Sequence, residues 1–206
     1  MQLVIGNKNY SSWSLRPWLA MKVLGIAFDE IRISLYGPGS KERILQHSPA
    51  GKVPILKDGT TLVWDSLAII EYLAERAPQL WPHDRAERAR ARSISAEMHS
   101  GFAQLREHMS MNVRKRYPGK GRTPEVEKDI ARISAIWAEA KGPFLYGEFT
   151  AADAMYAPVV LRFRTYGVEG PNRKYMDAML ALPAMREWIE AAEREPGSIR
   201  ELDLYG

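Results

Sequence analysis

Short apolar runs and amphipathic stretches alternate over the first third of the chain. Residues 2–6, QLVIG, are apolar enough to read as a strand. WSLRPWLAMKVLG follows, with Leu15, Trp18, Leu19 and Val23 at helical spacing before Gly25 ends the pattern. FDEIRISL, residues 28–35, alternates as a second strand does; GPGS at 37–40 reads as loop and KERILQHS as a short helical turn. VPILKDGTTLVW, residues 53–64, holds two short strands around Asp58-Gly59, a hairpin signal. SLAIIEYLAERA, residues 66–77, returns to helical spacing before Pro78. The predicted order is β-α-β-α-β-β-α.

After PQLWPHD, residues 78–84, the strand signals largely stop. Ile94, Met98, Phe102, Leu105 and Met109 predict one long helix from Arg85 to about Arg116. Val126, Ile130, Ile133, Trp137 and Ala140 lie on one face of a second helix, and AADAMYAPVVLRFRTYG and LPAMREWIEAAERE predict two more. Strands mixed with helices, then helices alone, predict a small α/β domain over residues 1–78 and an all-helical domain over 84–206. No apolar run approaches the roughly 18 residues of a membrane span. The opening MQLVIG lacks a basic segment leading into a signal-type apolar run, so the expected location is the cytoplasm.

Composition narrows the chemistry. The 206 residues include no cysteine, which removes disulfides, thiolate metal sites and cysteine nucleophiles, so any thiol chemistry must use a thiol brought in from outside. His47, His83, His99 and His108 show no paired ligand spacing, and no metal is expected. The net charge is +4, unevenly spread: residues 83–122 hold ten Lys/Arg against four Asp/Glu, and residues 123–206 hold ten against fourteen. RAERARAR and NVRKRYPGKGR could attract acidic ligands, although such runs are more often solvated faces; nucleic acid is not an expected partner.

Three short motifs carry chemistry. NYSSWS, residues 9–14, crowds Tyr10, Ser11, Ser12 and Ser14 against a helix start. In SPAGKVPIL, Pro54 opens a strand where its missing N–H disturbs ladder pairing; a trans proline at an edge strand is the plain reading. A cis Val53-Pro54 bond is the sharper one, because it would leave the Val53 backbone free to pair with a peptide-like ligand. In WDSLAIIEYL, Asp65 and Ser66 stand at a helix start. Capping explains them by itself, but the same helix end can take a ligand carboxylate while Asp65 pairs with an ammonium. FTAADAMYAPVV, residues 149–160, adds a structural signature: Thr150 and Asp153 are spaced as a capping box, and Pro158 should kink the helix that follows.

SSWSLRPW, GKVPIL, DS at the third helix and FTAADAMYAPVV together resemble the glutathione S-transferase family over nearly the whole chain. The serine-rich turn is closest to the zeta and tau branches, with Trp13 where the zeta pattern has cysteine. The resemblance implies an α/β thioredoxin-like N-terminal domain plus an all-α C-terminal helical domain, with glutathione as co-substrate. It implies Ser11 as the main partner of the glutathione thiol, Ser12 as its understudy and Tyr10 as a rival. Lys52, Val53, Pro54, Asp65 and Ser66 would bind the rest of the tripeptide, with Lys41 and His47 as weaker candidates, and Arg16 would stand near the thiolate or serve as a structural ion-pair partner. An electrophile would lie between the domains, near Met98, Phe102, Arg106 and Met109, although Met and Phe at helical spacing are more often core.

The leading expectation is therefore a glutathione transferase acting on small electrophiles, as a homodimer with no membrane partner. One alternative is a glutathione-dependent cis-trans isomerase of a dicarboxylate of the maleylacetoacetate or maleylpyruvate type, for which local basic residues would suit an acidic substrate. Another is a non-catalytic regulatory or binding protein on the same fold.

Overall fold

The computed structural model describes residues 1–169 and 173–205. Its elements run β1 (Gln2–Ile5), α1 (Ser12–Val23), β2 (Asp29–Arg32), α2 (Ser40–Leu45), β3 (Ile55–Asp58), β4 (Thr61–Val63) and α3 (Ser66–Ala74), in the order the hydrophobic pattern predicts. The sheet order is β2-β1-β3-β4. Strand β1 pairs parallel with β2 in the register Gln2↔Asp29, and antiparallel with β3, where Leu3 faces Leu56. A hairpin at Gly59 then brings Leu56 opposite Val63. Among the described residues the one parallel pair is joined through a helix, since a crossover is what parallel neighbours require. Leu3, Val4 and Ile5 are all fully buried because both faces of β1 are covered. This is a thioredoxin-like sheet.

A 3₁₀ turn (Pro78–Leu80) leads into α4 (Arg85–Ser100), α5 (Ala103–His108), α6 (Pro124–Ala138), α7 (Ala151–Tyr166), α8 (Arg173–Ala181) and α9 (Pro183–Arg194). Helix α7 is buried nearly all round and sits at the centre. One side packs on α1 and another on α4, and this seam joins the sheet layer to the helical layer. The predicted capping box is present: the Asp153 carboxylate accepts from Thr150 N at 2.8 Å and from Leu145 N at 3.0 Å. The helix runs through Pro158 as a single element. Helix α9 packs back on α1, and Trp188 Nε1 donates to Lys8 O at 2.9 Å.

The predicted long helix from Arg85 to about Arg116 is a correction: it is two helices followed by irregular chain. Phe102 sits at φ 58, in the left-handed region, and a Cβ on Gly101 would lie 2.8 Å from Glu97 O. Arg106 Nε takes the Gly101 carbonyl at 3.0 Å and its NH2 takes that of Met98, while Asp129 accepts from Leu105 N at 2.9 Å. Those side chains satisfy the orphan groups that a break creates. The apolar spacing passes straight through because α5 resumes in phase, and Phe102, Leu105 and Met109 remain buried. Helix α8 is an addition that the pattern did not predict.

Candidate active site between the two layers

Two adjoining cavities share Trp13, Lys52 and Val53 as their common wall. The larger, about 680 Å³, lies over the start of α1 and is lined by Ser11, Ser12, Lys41, Arg106 and Arg162 among others. The smaller, about 410 Å³, lies over the start of α3, with Pro54, Asp65, Ser66 and His99 on its walls.

No side chain caps α1: Ser12 N donates to Tyr10 O at 3.0 Å, while the N–H groups of Trp13 and Ser14 have no built-in acceptor. Ser11 Oγ donates to Ser14 Oγ at 2.7 Å, and Ser14 Oγ accepts from Gly6 N at 3.1 Å. The Ser11 proton is thereby committed inside the turn. Ser12 Oγ is differently placed: it accepts from Arg162 NH2 at 3.5 Å, at the outer edge of hydrogen-bonding range, which leaves its own proton uncommitted.

Helix α3 starts with its cap in place. Asp65 Oδ1 accepts from Leu67 N at 2.8 Å, and Oδ2 lies 3.1 Å from His99 Nε2 on α4. Ser66 Oγ accepts from Arg16 NH1 at 3.3 Å. The Val53-Pro54 peptide is cis, the sharper of the two sequence readings, and so is Trp64-Asp65. Strand β3 begins only at Ile55, so Val53 stands ahead of the ladder, at the junction of the two cavities.

Three guanidinium groups dominate the electrostatics. Arg16 and Arg162 are buried, and burial, reinforced by their mutual neighbour Arg106, lowers each to about 9. Arg106 is lowered by burial, with Asp129 opposing. Trp13 lies between Arg16, 4.3 Å from its ring centroid, and Arg106, 4.8 Å away, with the His99 ring edge-on at 5.2 Å. Arg162 NH1 is anchored on Met109 O. None of these three arginines makes an ion pair among the described residues. Like charges held close in a dry setting favour an anionic ligand, because each lacks a carboxylate of its own.

A family model for the glutathione S-transferase N-terminal domain matches residues 10–76, and one for the C-terminal domain matches residues 85–191. The chain belongs to the glutathione S-transferase family. Among its relatives, maleylacetoacetate isomerase of Rattus norvegicus is 32% identical over 206 residues, covering 93% of this chain and 92% of that protein. A glutathione transferase homolog from Burkholderia gl BGR1, solved with bound glutathione, superposes with a TM-score of 0.71 at 21% identity, covering 93% of this chain and 97% of the other. The holo structure of maleyl pyruvate isomerase, a bacterial zeta-class glutathione S-transferase, gives 0.71 at 21% identity, with 96% and 100% covered.

Within this transferase fold the structure gathers most of the sequence-predicted residues. Ser11, Ser12, Lys41, Lys52 and Val53 line the larger cavity; Lys52, Val53, Pro54, Asp65 and Ser66 line the smaller. Three candidates part from the group, Arg16 first: it lines neither cavity and donates its NH1 to Ser66 Oγ at 3.3 Å. His47 lines neither cavity: its Nδ1 is 2.9 Å from Lys57 Nζ, and burial together with that lysine lowers its pKa. Tyr10 borders the larger cavity, but its hydroxyl donates to Asp203 Oδ1 at 2.9 Å and accepts from Ile199 N at 3.1 Å and Arg114 NH2 at 3.3 Å. The C-terminal segment uses up its capacity. Of the expected electrophile residues Met98, Phe102, Arg106 and Met109, only Arg106 lines the cavity; the three apolar ones are core.

Sequence reasoning missed Arg162 and His99 as site residues. Arg162 carried a weak signal, an arginine directly after the apolar run 154–161; His99 carried none, since its neighbours come from other elements. The basic run at 85–92 is largely a paired surface, with Arg90 on Glu139 at 2.7 Å and Arg92 on Glu71 at 3.4 Å. Among the described residues no helix is long and apolar enough to cross a membrane, and no cluster of three or more potential ligands could hold a metal.

Proposed function

We propose that this chain binds glutathione across the two cavities and activates its thiol over the start of α1 for reaction with a small electrophile that carries carboxylates. The observation that carries this reading is the uncapped start of α1, where the uncommitted hydroxyl of Ser12 and the unpaired guanidiniums of Arg162 and Arg106 meet one cavity. A free thiol has a pKa of about 8.5. Lowering it by two units requires roughly 2.7 kcal/mol of preference for the thiolate, which a hydroxyl donor and a helix N-terminus supply in kind. Ser12 is favoured over Ser11 as donor because the Ser11 proton already serves Ser14. Val53 would pair with the cysteinyl backbone, Asp65 with the ligand ammonium, Ser66 with the γ-glutamyl carboxylate, and Lys52 or Lys41 with the glycine carboxylate.

Within that reading, the arginine cluster favours a second, narrower one: isomerisation of an unsaturated dicarboxylate of the maleylacetoacetate or maleylpyruvate type. A thiolate adds to the conjugated double bond, the new single bond rotates, and the thiolate leaves unchanged, so atoms and electrons balance. Two carboxylates would match Arg106 and Arg162. The family relation to a maleylacetoacetate isomerase supports this choice. The protein is expected to work as a symmetric homodimer.

The test is calorimetry with glutathione, then turnover of a neutral aromatic electrophile and of maleylpyruvate by wild type, Ser11→Ala and Ser12→Ala. Wild type is expected to bind glutathione, and turnover is expected to fall further in Ser12→Ala than in Ser11→Ala. A wild type that does not bind glutathione overturns the proposal.

A further inference from the structure

Among the described residues, Arg16 alone has two buried polar side-chain atoms without a hydrogen-bond partner. It has no solvent exposure, its NH1 reaches only Ser66 Oγ at 3.3 Å, and its Nε and NH2 have no hydrogen-bond partner. Trp13 covers one face of the guanidinium at 4.3 Å. Asp65 is near enough to favour its charge but makes no bond with it, whereas Arg106 and Arg162 oppose it. A buried cation without an anion is costly, and the usual resolution is a partner that arrives with a ligand.

The position of Arg16 says where that anion goes. Arg16 lines neither cavity; it lies beneath Ser66, whose oxygen it holds. A hydroxyl that accepts from a cation behind it directs its own proton forward, here toward the cavity over the start of α3. We infer that Arg16 is a positioning residue for the γ-glutamyl α-carboxylate, acting through Ser66, rather than a residue of the thiolate site. This rests on the glutathione reading above and assigns to Arg16 a role that the resemblance left between the thiolate and a structural ion pair. The helix start supplies backbone N–H groups, Ser66 supplies one directed hydroxyl, and Arg16 supplies the compensating charge from behind. Arg162 also donates to a serine at a helix start, Ser12 of α1, but it lines the larger cavity, whereas Arg16 lines neither.

The experiment compares glutathione with the same tripeptide lacking the α-carboxylate of its γ-glutamyl residue. Binding of each is measured calorimetrically to wild type, Arg16→Met, Ser66→Ala and the double variant, with folding followed by circular dichroism. Wild type is expected to prefer glutathione by roughly 10- to 100-fold, the range of a charge-assisted hydrogen bond. Arg16→Met should lose most of that preference while binding the truncated tripeptide as wild type does, and should add little further loss on top of Ser66→Ala. Equal weakening of both ligands, or an undiminished preference in Arg16→Met, overturns the inference. Should Arg16→Met fail to fold, Arg16→Lys decides: a reduced preference supports the inference and an unchanged one overturns it. Wild type binding both ligands equally overturns the inference alone, whereas wild type binding neither overturns the glutathione reading and this inference with it.

Discussion

The starts of α1 and α3 are built from the same parts and finished differently. Each has a buried serine at its first turn and a buried arginine donating to that serine, Arg162 to Ser12 and Arg16 to Ser66. At α3 a side chain caps the helix, Asp65 on Leu67 N, and His99 holds the other carboxylate oxygen. At α1 no side chain caps the helix, and the cavity above it is the larger one. A capped start with a fixed carboxylate suits a zwitterionic head group whose charges never change. An uncapped one suits an anion that forms during the reaction, because its donors are not already spent.

That difference can be broken residue by residue. Ser12→Ala has the largest expected effect: removal of a donor aimed at a reacting anion lowers turnover by roughly 100-fold, with glutathione affinity little changed. Ser11→Ala should lose much less, because its proton serves Ser14. Steady-state kinetics on the two variants separates them. Arg162→Met comes next, with a loss of roughly 10- to 100-fold for a dicarboxylate substrate against a neutral electrophile, read as a ratio of kcat/KM values. At the other helix start, Asp65→Asn keeps a capping oxygen but removes the charge; glutathione affinity should fall by roughly fivefold in calorimetry, with turnover at saturation retained.

The smallest effect is a pH dependence. His99 faces Asp65 at the cap of α3, Arg16 on α1, Arg106 on α5 and the Trp13 ring; burial, with the two arginines, lowers its pKa below 6.5 against the pull of Asp65. The folded protein therefore carries His99 neutral at pH 7. As pH falls below 6.5, the unfolded chain takes up a proton that the folded chain resists, so stability declines. Once His99 does protonate, it competes with the ligand ammonium for Asp65, and glutathione affinity should fall in the same direction. His99→Asn should flatten both profiles, in thermal melts and in calorimetry.

What was legible in the sequence was local. Leu15, Trp18 and Leu19 announced α1, Asp58-Gly59 announced the hairpin, and Thr150 with Asp153 announced the cap of α7, since each signal lies within one turn. Asp65 and Ser66 were legible for the same reason. The break at Gly101 and Phe102 was not, because what sustains it is Asp129 on α6 and the Arg106 guanidinium, while the apolar spacing runs on unchanged. Nor was the loss of the Tyr10 hydroxyl to Asp203 and Ile199, residues far along the chain. Arg162 and His99 became site residues only when α7 and α4 packed against the first domain's helices.

The most direct test of the account is the pKa of the glutathione thiol when bound, titrated through the ultraviolet absorbance of the thiolate in wild type, Ser12→Ala and Ser66→Ala. The account predicts a bound thiol well below the free value of about 8.5, a return toward that value in Ser12→Ala, and a depressed value retained in Ser66→Ala despite weaker binding. A bound thiol that titrates as it does free in solution, or one whose depression survives Ser12→Ala and is lost in Ser66→Ala, would contradict it.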